Sequence, residues 1–230
     1  MIDKIVRSMA EAMSGIQDGA TVLIGGFGAV GQPNALIDGL IEQGAKELTV
    51  ACNNAGVGRT GLARLMDLGR VRKIICSFPR QADSWVFDSL YKEGAIELEL
   101  VPQGNLVCRM EAAGAGLGGV FTPTGYGTQL GQDKETREID GRQYVLEYPI
   151  HADYALIKAD RGDRWGNLTY RKAARNFGPI MARAARCTIA QVREFVPLGA
   201  IDPEIVVTPG IFVQRVVPVV GPDVTARARA

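Results

Sequence analysis

The chain of 230 residues is 47% hydrophobic, 22% charged and 7% aromatic, a globular composition with enough apolar material for a large core. Its 26 basic residues face 25 acidic ones, a balance that makes it a poor candidate for wrapping nucleic acid, which needs clustered Lys and Arg. No apolar run approaches the ~20 residues of a membrane span, and Asp3, Lys4, Arg7 and Glu11 argue against reading the first stretch as a signal peptide.

In chain order, residues 5–16 read as a helix, with Met9, Met13 and Ile16 near a 3.6 period. Asp18-Gly19 turns the chain into the apolar strand Thr21-Val22-Leu23-Ile24, a run suited to burial on both faces of a parallel sheet. A glycine-rich loop follows, Pro33 sits where a helix can begin, and the helix continues over 35–43 until Gly44 ends it. The unit then repeats: strand 48–52, helix 61–67, strand 71–76, helix 82–92, strand 96–101 and helix 103–112. Between 126 and 148 the alternation breaks into a hairpin turning at Asp140-Gly141. Strands at 154–158 and 187–192 resume, with a helix over 173–185 between them and an apolar terminal strand over 211–219. The spacing predicts an α/β fold with a mainly parallel sheet flanked by helices. It is read as one domain over 1–230, with an inserted hairpin at about 128–148 and a mobile tail at 222–230. The four cysteines (Cys52, Cys76, Cys108, Cys187) are far apart and form no C-x-x-C pair, which fits reduced thiols in a cytoplasmic protein.

Gly26-Phe27-Gly28-Ala29-Val30-Gly31 spells the dinucleotide pattern G-x-G-x-x-G directly after a strand. In a dinucleotide fold, however, the glycine run opens the helix, and the second strand ends in Asp or Glu. Here Pro33 delays the helix until after the run, and the second strand ends Cys52-Asn53-Asn54, so a nicotinamide-dependent dehydrogenase is disfavoured. A tight strand-to-helix turn is the alternative, and the reading that remains is a loop whose bare backbone lets a ligand approach closely.

Asp18-Gly19, Val22-Leu23-Ile24, Gly25-Gly26-Phe27 and Gly31-x-Pro33 resemble the signature of the first (α) subunit of family I CoA-transferases. Asn53-Asn54-Ala55-Gly56, Pro102-Gln103-Gly104, Thr124-Gly125-Tyr126-Gly127-Thr128 and Ala173-Ala174-Arg175-Asn176-Phe177 resemble further blocks in the same order, so the resemblance spans nearly the whole chain. It implies the CoA-transferase fold, related to ribose-phosphate isomerases, and a ping-pong reaction through a glutamyl-CoA thioester. In the family that glutamate stands in a Glu-Asn-Gly context on the second (β) subunit, and no Glu-Asn-Gly occurs in these 230 residues. The expected partner is therefore a CoA-transferase β subunit, in an α2β2 heterotetramer, with succinyl-CoA and a 3-oxo acid as substrates and neither a cofactor nor a metal. Two blocks, Cys76-Ser77-Phe78-Pro79-Arg80-Gln81 and Gly162-Asp163-Arg164-Trp165-Gly166-Asn167, resemble the members that use 3-oxoadipate in aromatic compound catabolism. Members that use acetoacetate are the alternative, and a sugar-phosphate sensor module is a remoter one.

The resemblance gives Asn53 an oxyanion role and Gln103 a substrate contact, although Asn53 read alone could cap a turn and Gln103 could simply begin a helix. It points to Gly25, Gly26, Phe27, Gly28, Ala29, Val30 and Gly31 as the wall of the CoA or substrate site. Strand ends at Gly25, Asn53, Ser77 and Gln103 are expected along one sheet edge, where open α/β sheets bind ligands. Arg80 is a candidate clamp for a distal substrate carboxylate, the alternative being an exposed surface arginine. His151, the one histidine, is read as structural, and Glu97 with Glu99 as one solvated or interfacial strand face. Arg171, Lys172 and Arg175 could meet CoA phosphates or a subunit interface, and the terminal strand could be interface or core.

Overall fold

The structure is a computed structural model that describes residues 2–219, so the tail expected at 222–230 lies outside the described residues. The first half comprises α1 (Met9–Ala12), β1 (Thr21–Ile24), α2 (Asn34–Gln43), β2 (Leu48–Asn54), α3 (Gly61–Asp67), β3 (Val71–Phe78), α4 (Trp85–Lys92), β4 (Glu97–Leu100) and α5 (Gln103–Ala115). The second comprises β5 (Val120–Thr122), β6 (Thr136–Ile139), β7 (Arg142–Glu147), β8 (Ala152–Gly162), β9 (Leu168–Thr169), α6 (Gly178–Ala184), β10 (Ala185–Phe195) and β11 (Arg215–Pro218).

The main sheet runs β11-β10-β8-β1-β2-β3-β4, all parallel, with β9 antiparallel on the end of β8. Helices cover both faces, and the strands alternate between them. Val22 and Ile24 of β1, Val50 and Cys52 of β2, and Ile74 and Cys76 of β3 face α2, α3 and α4. Leu23, Ala51 and Ile75 face α5 and α6, together with Leu106, Met110 and Met181. Burial on both faces explains the unbroken apolar runs, each enclosed Leu or Ile contributing roughly 2 kcal/mol. At β1 the order reverses: β2 lies on one side and β8, over a hundred residues later, on the other. This is a topological switch point, and the crevice beyond its strand ends is where such sheets place their sites.

A second sheet, β5-β7-β6, is antiparallel and turns between β6 and β7 at Asp140 (φ 49°) and Gly141 (φ 73°), as a two-residue type I′ hairpin requires. Asn105 of α5 ties this sheet to the parallel one by donating from Nδ2 to Glu147 Oε1 (2.8 Å) and the Thr124 carbonyl (3.0 Å). Glu147, its side chain only 3% exposed, also meets Lys134 Nζ at 2.6 Å.

Three expectations are corrected. The helix expected over 5–16 shrinks to Met9–Ala12, because Ile5 instead bridges to Val216 and Ser8 caps the turn. The helix expected over 173–185 is split into a 3-10 turn, Lys172–Arg175, and α6, with Asn176 between them. The apolar run at 211–219 opens as a 3-10 turn, Gly210–Phe212, and only Arg215–Pro218 pairs, as the outermost strand beside β10.

Candidate active site

Asn53, Ser77 and Gln103 meet at the carboxyl edge of the sheet. Asn53 follows Ala51 by two residues on β2, and Ser77 follows Ile75 by two on β3, so both point to the α5 face. Gln103 is the first residue of α5, delivered by the turn after β4. Asn53, only 3% exposed, donates from Nδ2 to Ser77 Oγ (3.0 Å) and to Gln103 Oε1 (3.2 Å). The Ser77 hydroxyl donates to the Asn53 carbonyl at 3.3 Å, so the serine holds the asparagine from both backbone and side chain. Sequence reasoning placed Gly25, Asn53, Ser77 and Gln103 on one edge, and the structure brings the last three into a single hydrogen-bonded cluster.

The next strand residue, Asn54, points to the opposite face and is structural. Its Oδ1 accepts from the Gly56 N–H at 2.9 Å, and its carbonyl accepts from the Cys52 thiol at 3.0 Å. Gly56 (φ 77°) is required there, since a Cβ would stand 2.6 Å from the Ala63 nitrogen. Burial pushes the Cys52 thiol well above its ordinary value, and burial raises Cys76 to about 12. Both sulfurs therefore stay protonated near neutrality and are poor nucleophiles.

The glycine loop leaves β1 beside β2, where Gly25, Gly26 and Gly28 lie against Asn53 and Asn54 around a gap too small to admit a water molecule. Its middle is a small hairpin: the Phe27 N–H donates to the Val30 carbonyl at 2.9 Å, and the Val30 N–H returns to Phe27 at 3.1 Å. Phe27 and Val30 are consequently half-exposed at its tip, and Ala29 lies between them in the turn. α2 begins only at Asn34, with Pro33 as its N-cap, so the helix N-terminus is not presented by the glycine run. That geometry departs from the dinucleotide arrangement, as the position of Pro33 implied.

The loop is tied down by a residue quoted in the sequence blocks but given no role there. Asn176 accepts at Oδ1 from Gly26 N (3.2 Å) and donates from Nδ2 to the Val30 carbonyl (3.0 Å). The signal was unreadable locally, because its partners lie 150 and 146 residues away.

Other candidates stand apart from the cluster. Arg80 lies in the loop after β3, its side chain 60% exposed and its Nε paired with Asp88 at 2.7 Å. Nearby, Arg59 stacks over the exposed Trp85 ring at 4.5 Å. His151 is exposed just before β8, where the neighbouring Asp153 accepts from Thr21 N at 2.9 Å and anchors the start of β1. Glu97 pairs with Arg72, and Glu99 bridges Lys73 and Arg109, so that strand face carries ion pairs. Arg171, Lys172 and Arg175 are at least partly exposed on the segment before Asn176. Gly162 ends β8, and Asp163 folds the next turn by accepting from Trp165 N (2.9 Å) and Asn167 N (3.0 Å). Among the described residues no cluster of three or more His, Cys, Asp or Glu could hold a metal ion, and no helix is long and apolar enough to cross a membrane.

A family model described as coenzyme A transferase matches residues 6–218. The A-type (α) subunit of the 3-oxoadipate CoA-transferase of Pseudomonas putida is 64% identical over 230 residues, 100% of both chains. Its counterpart in Acinetobacter baylyi is 68% identical over 219 residues, 95% of this chain and 96% of that one. The A-type subunit of the succinyl-CoA:3-ketoacid coenzyme A transferase of Helicobacter pylori (strain J99) is 44% identical over 215 residues, 94% of this chain and 92% of that one. Among solved structures, the acyl-CoA transferase apoenzyme of Escherichia coli O157:H7 superposes with a TM-score of 0.81 at 23% identity, covering 94% of this chain and 47% of that one. That last likeness is one of fold, and this chain spans about half of that protein.

Proposed function

The chain belongs to the coenzyme A transferase family, and on that premise we propose that it is the α subunit of an enzyme moving CoA from succinyl-CoA to a 3-oxo acid, 3-oxoadipate rather than acetoacetate. The observation that carries the reading is the buried Asn53 amide, held by Ser77 and Gln103 beside a glycine loop at the sheet's carboxyl edge. Support for the acceptor comes from identity, 64% to a subunit named for 3-oxoadipate against 44% to one named for 3-ketoacids. The two segments resembling 3-oxoadipate members, around Arg80 and Asp163, also leave the ends of β3 and β8 on that same edge.

In this reading the nucleophile is a glutamate of the β subunit, and two chains of each kind form an α2β2 tetramer. Carboxylate attack on a thioester gives a tetrahedral intermediate whose carbonyl oxygen becomes negative, and the reaction needs a donor already aimed at it. Asn53 supplies that donor. Both of its N–H bonds are engaged, one with Ser77 and one with Gln103. The substrate oxygen takes the second by displacing Gln103 Oε1, which exchanges one hydrogen bond for a stronger charge-assisted one. Gln103, exposed and swung aside, then turns its own amide toward the substrate. Ser77 keeps the Asn53 amide plane fixed throughout, so little reorganisation is needed when charge develops. The apolar tip of the glycine loop helps exclude water from the thioester. Arg80, oriented through Nε by Asp88, is the proposed clamp for the distal carboxylate that 3-oxoadipate has and acetoacetate lacks.

The test is CoA transfer from succinyl-CoA to 3-oxoadipate, by this chain alone and by the chain co-expressed with a CoA-transferase β subunit. Activity in the complex only, with a borohydride-sensitive thioester trapped on the partner, is expected. Activity of the isolated chain would place the nucleophile here and overturn the assignment.

A further inference from the structure

We infer that Asn176 is the positioning residue of the glycine loop, a bolt set across the switch point of the sheet. Its carboxamide spans both ends of the small hairpin: Oδ1 takes the Gly26 N–H at the base of the outgoing limb, and Nδ2 gives to the Val30 carbonyl on the returning one. The same two atoms are tied to their own segment, Oδ1 to Phe177 N at 2.7 Å and Nδ2 to the Ala173 carbonyl at 2.9 Å. The amide thus satisfies four groups and has no polar capacity left for a substrate. It acts through the loop.

The fit is close on the loop's side too. A Cβ on Gly31 (φ 76°) would stand 2.8 Å from both Asn176 Nδ2 and the Ala174 carbonyl, so the bare glycine is what lets the two segments touch. The Val30 carbonyl accepts from Phe27 N and from Asn176 together, which makes the hairpin and the bolt one unit. Without Asn176, the loop that borders Asn53 would be fastened to β8 only at its root, where Gly25 N meets the Leu156 carbonyl at 3.0 Å. This inference rests on the reading of residues 25–31 as a wall of the site, and the experiment separates the two.

Asn176→Ala and Asn176→Asp would be prepared in the co-expressed complex and examined by residue-resolved hydrogen exchange and by steady-state transfer kinetics. Alanine releases both limbs. Aspartate keeps the acceptor for Gly26 but sets a carboxylate oxygen against the Val30 and Ala173 carbonyls. Exchange at Phe27 and Val30 should rise at least tenfold in both variants, and at Gly26 in the alanine variant only, with amides inside β2 and β3 unchanged. kcat/KM for the thioester should fall ten- to a hundredfold while assembly persists. If the alanine variant fails to assemble, the aspartate variant carries the same test. Unchanged exchange at residues 26–30, or a rise spread equally through β2 and β3, would overturn the bolt. Raised exchange with unchanged kinetics would leave the bolt standing and overturn the loop as a wall of the site.

Discussion

Replacing Asn53 by alanine removes an amide that does two separable jobs, and the structure allows each to be sized. Folding loses the bonds to Ser77 (3.0 Å) and Gln103 (3.2 Å) from a side chain that is 3% exposed. At about 1 kcal/mol net for each bond the loss is roughly 2 kcal/mol. A domain stable by about 5–15 kcal/mol remains folded at that cost. Ser77 keeps its bond to the Asn53 backbone carbonyl, and Gln103 is free to meet water, so no buried group is stranded. Catalysis loses the donor to the developing oxyanion, for which comparable deletions lower kcat by about 10²–10³. KM should move little, because a neutral thioester carbonyl accepts weakly in the ground state. The assay is steady-state transfer by the complex, paired with thermal unfolding of the same preparation. A fall in kcat below fivefold, with the stability loss present, would show that the amide only braces the strand end and would refute the oxyanion argument.

Three other outcomes are expected. Glu147→Ala should destabilise by about 3–5 kcal/mol in denaturant unfolding, because Lys134 and Asn105 lose a carboxylate that is almost fully enclosed; a loss under 1 kcal/mol would show water entering freely. Burial holds the Cys76 thiol protonated up to about 12 from an ordinary 9.0, so its contribution to stability is complete below pH 9 and is lost as pH rises toward 12. Denaturation midpoints from pH 7 to 11 should show that decline, and Cys76→Ala should flatten part of it; an identical slope in the variant would contradict the account. Arg80→Ala should raise KM for 3-oxoadipate at least tenfold more than KM for acetoacetate, and equal effects would remove the clamp.

How much was legible in the sequence depended on how far away the deciding partner lay. The glycine loop, the late helix start at Pro33 and the strand ends at Asn53 and Ser77 were readable because strand period and helix punctuation are local signals. The convergence of those ends followed from parallel topology alone. Ile5 was misread as helical because its pairing partner, Val216, lies at the far end of the chain. The alanine-rich run at 173–185 was misread for a similar reason: Asn176 spends its side chain on the glycine loop, and the helix restarts only at Gly178. Glu147 gave no signal, since a lone acidic residue near the end of an exposed hairpin reads as surface until α5 supplies Asn105.

The placement of β8 beside β1 has a consequence for synthesis on the ribosome. β1 and the glycine loop emerge early, yet their second neighbour strand and Asn176 follow about 130 and 150 residues later. At typical elongation rates the interval is about 7–30 s. Through that interval the nascent chain can pair β1 with β2, and β2 with β3, but has nothing with which to close the sheet on the other side of β1. Leu23 and Ala51, which end up facing α5 and α6, stay uncovered until those helices are made. The nascent chain therefore carries an unfinished sheet edge and a slack glycine loop for most of its translation, which makes this interval the one in which a chaperone has most to hold.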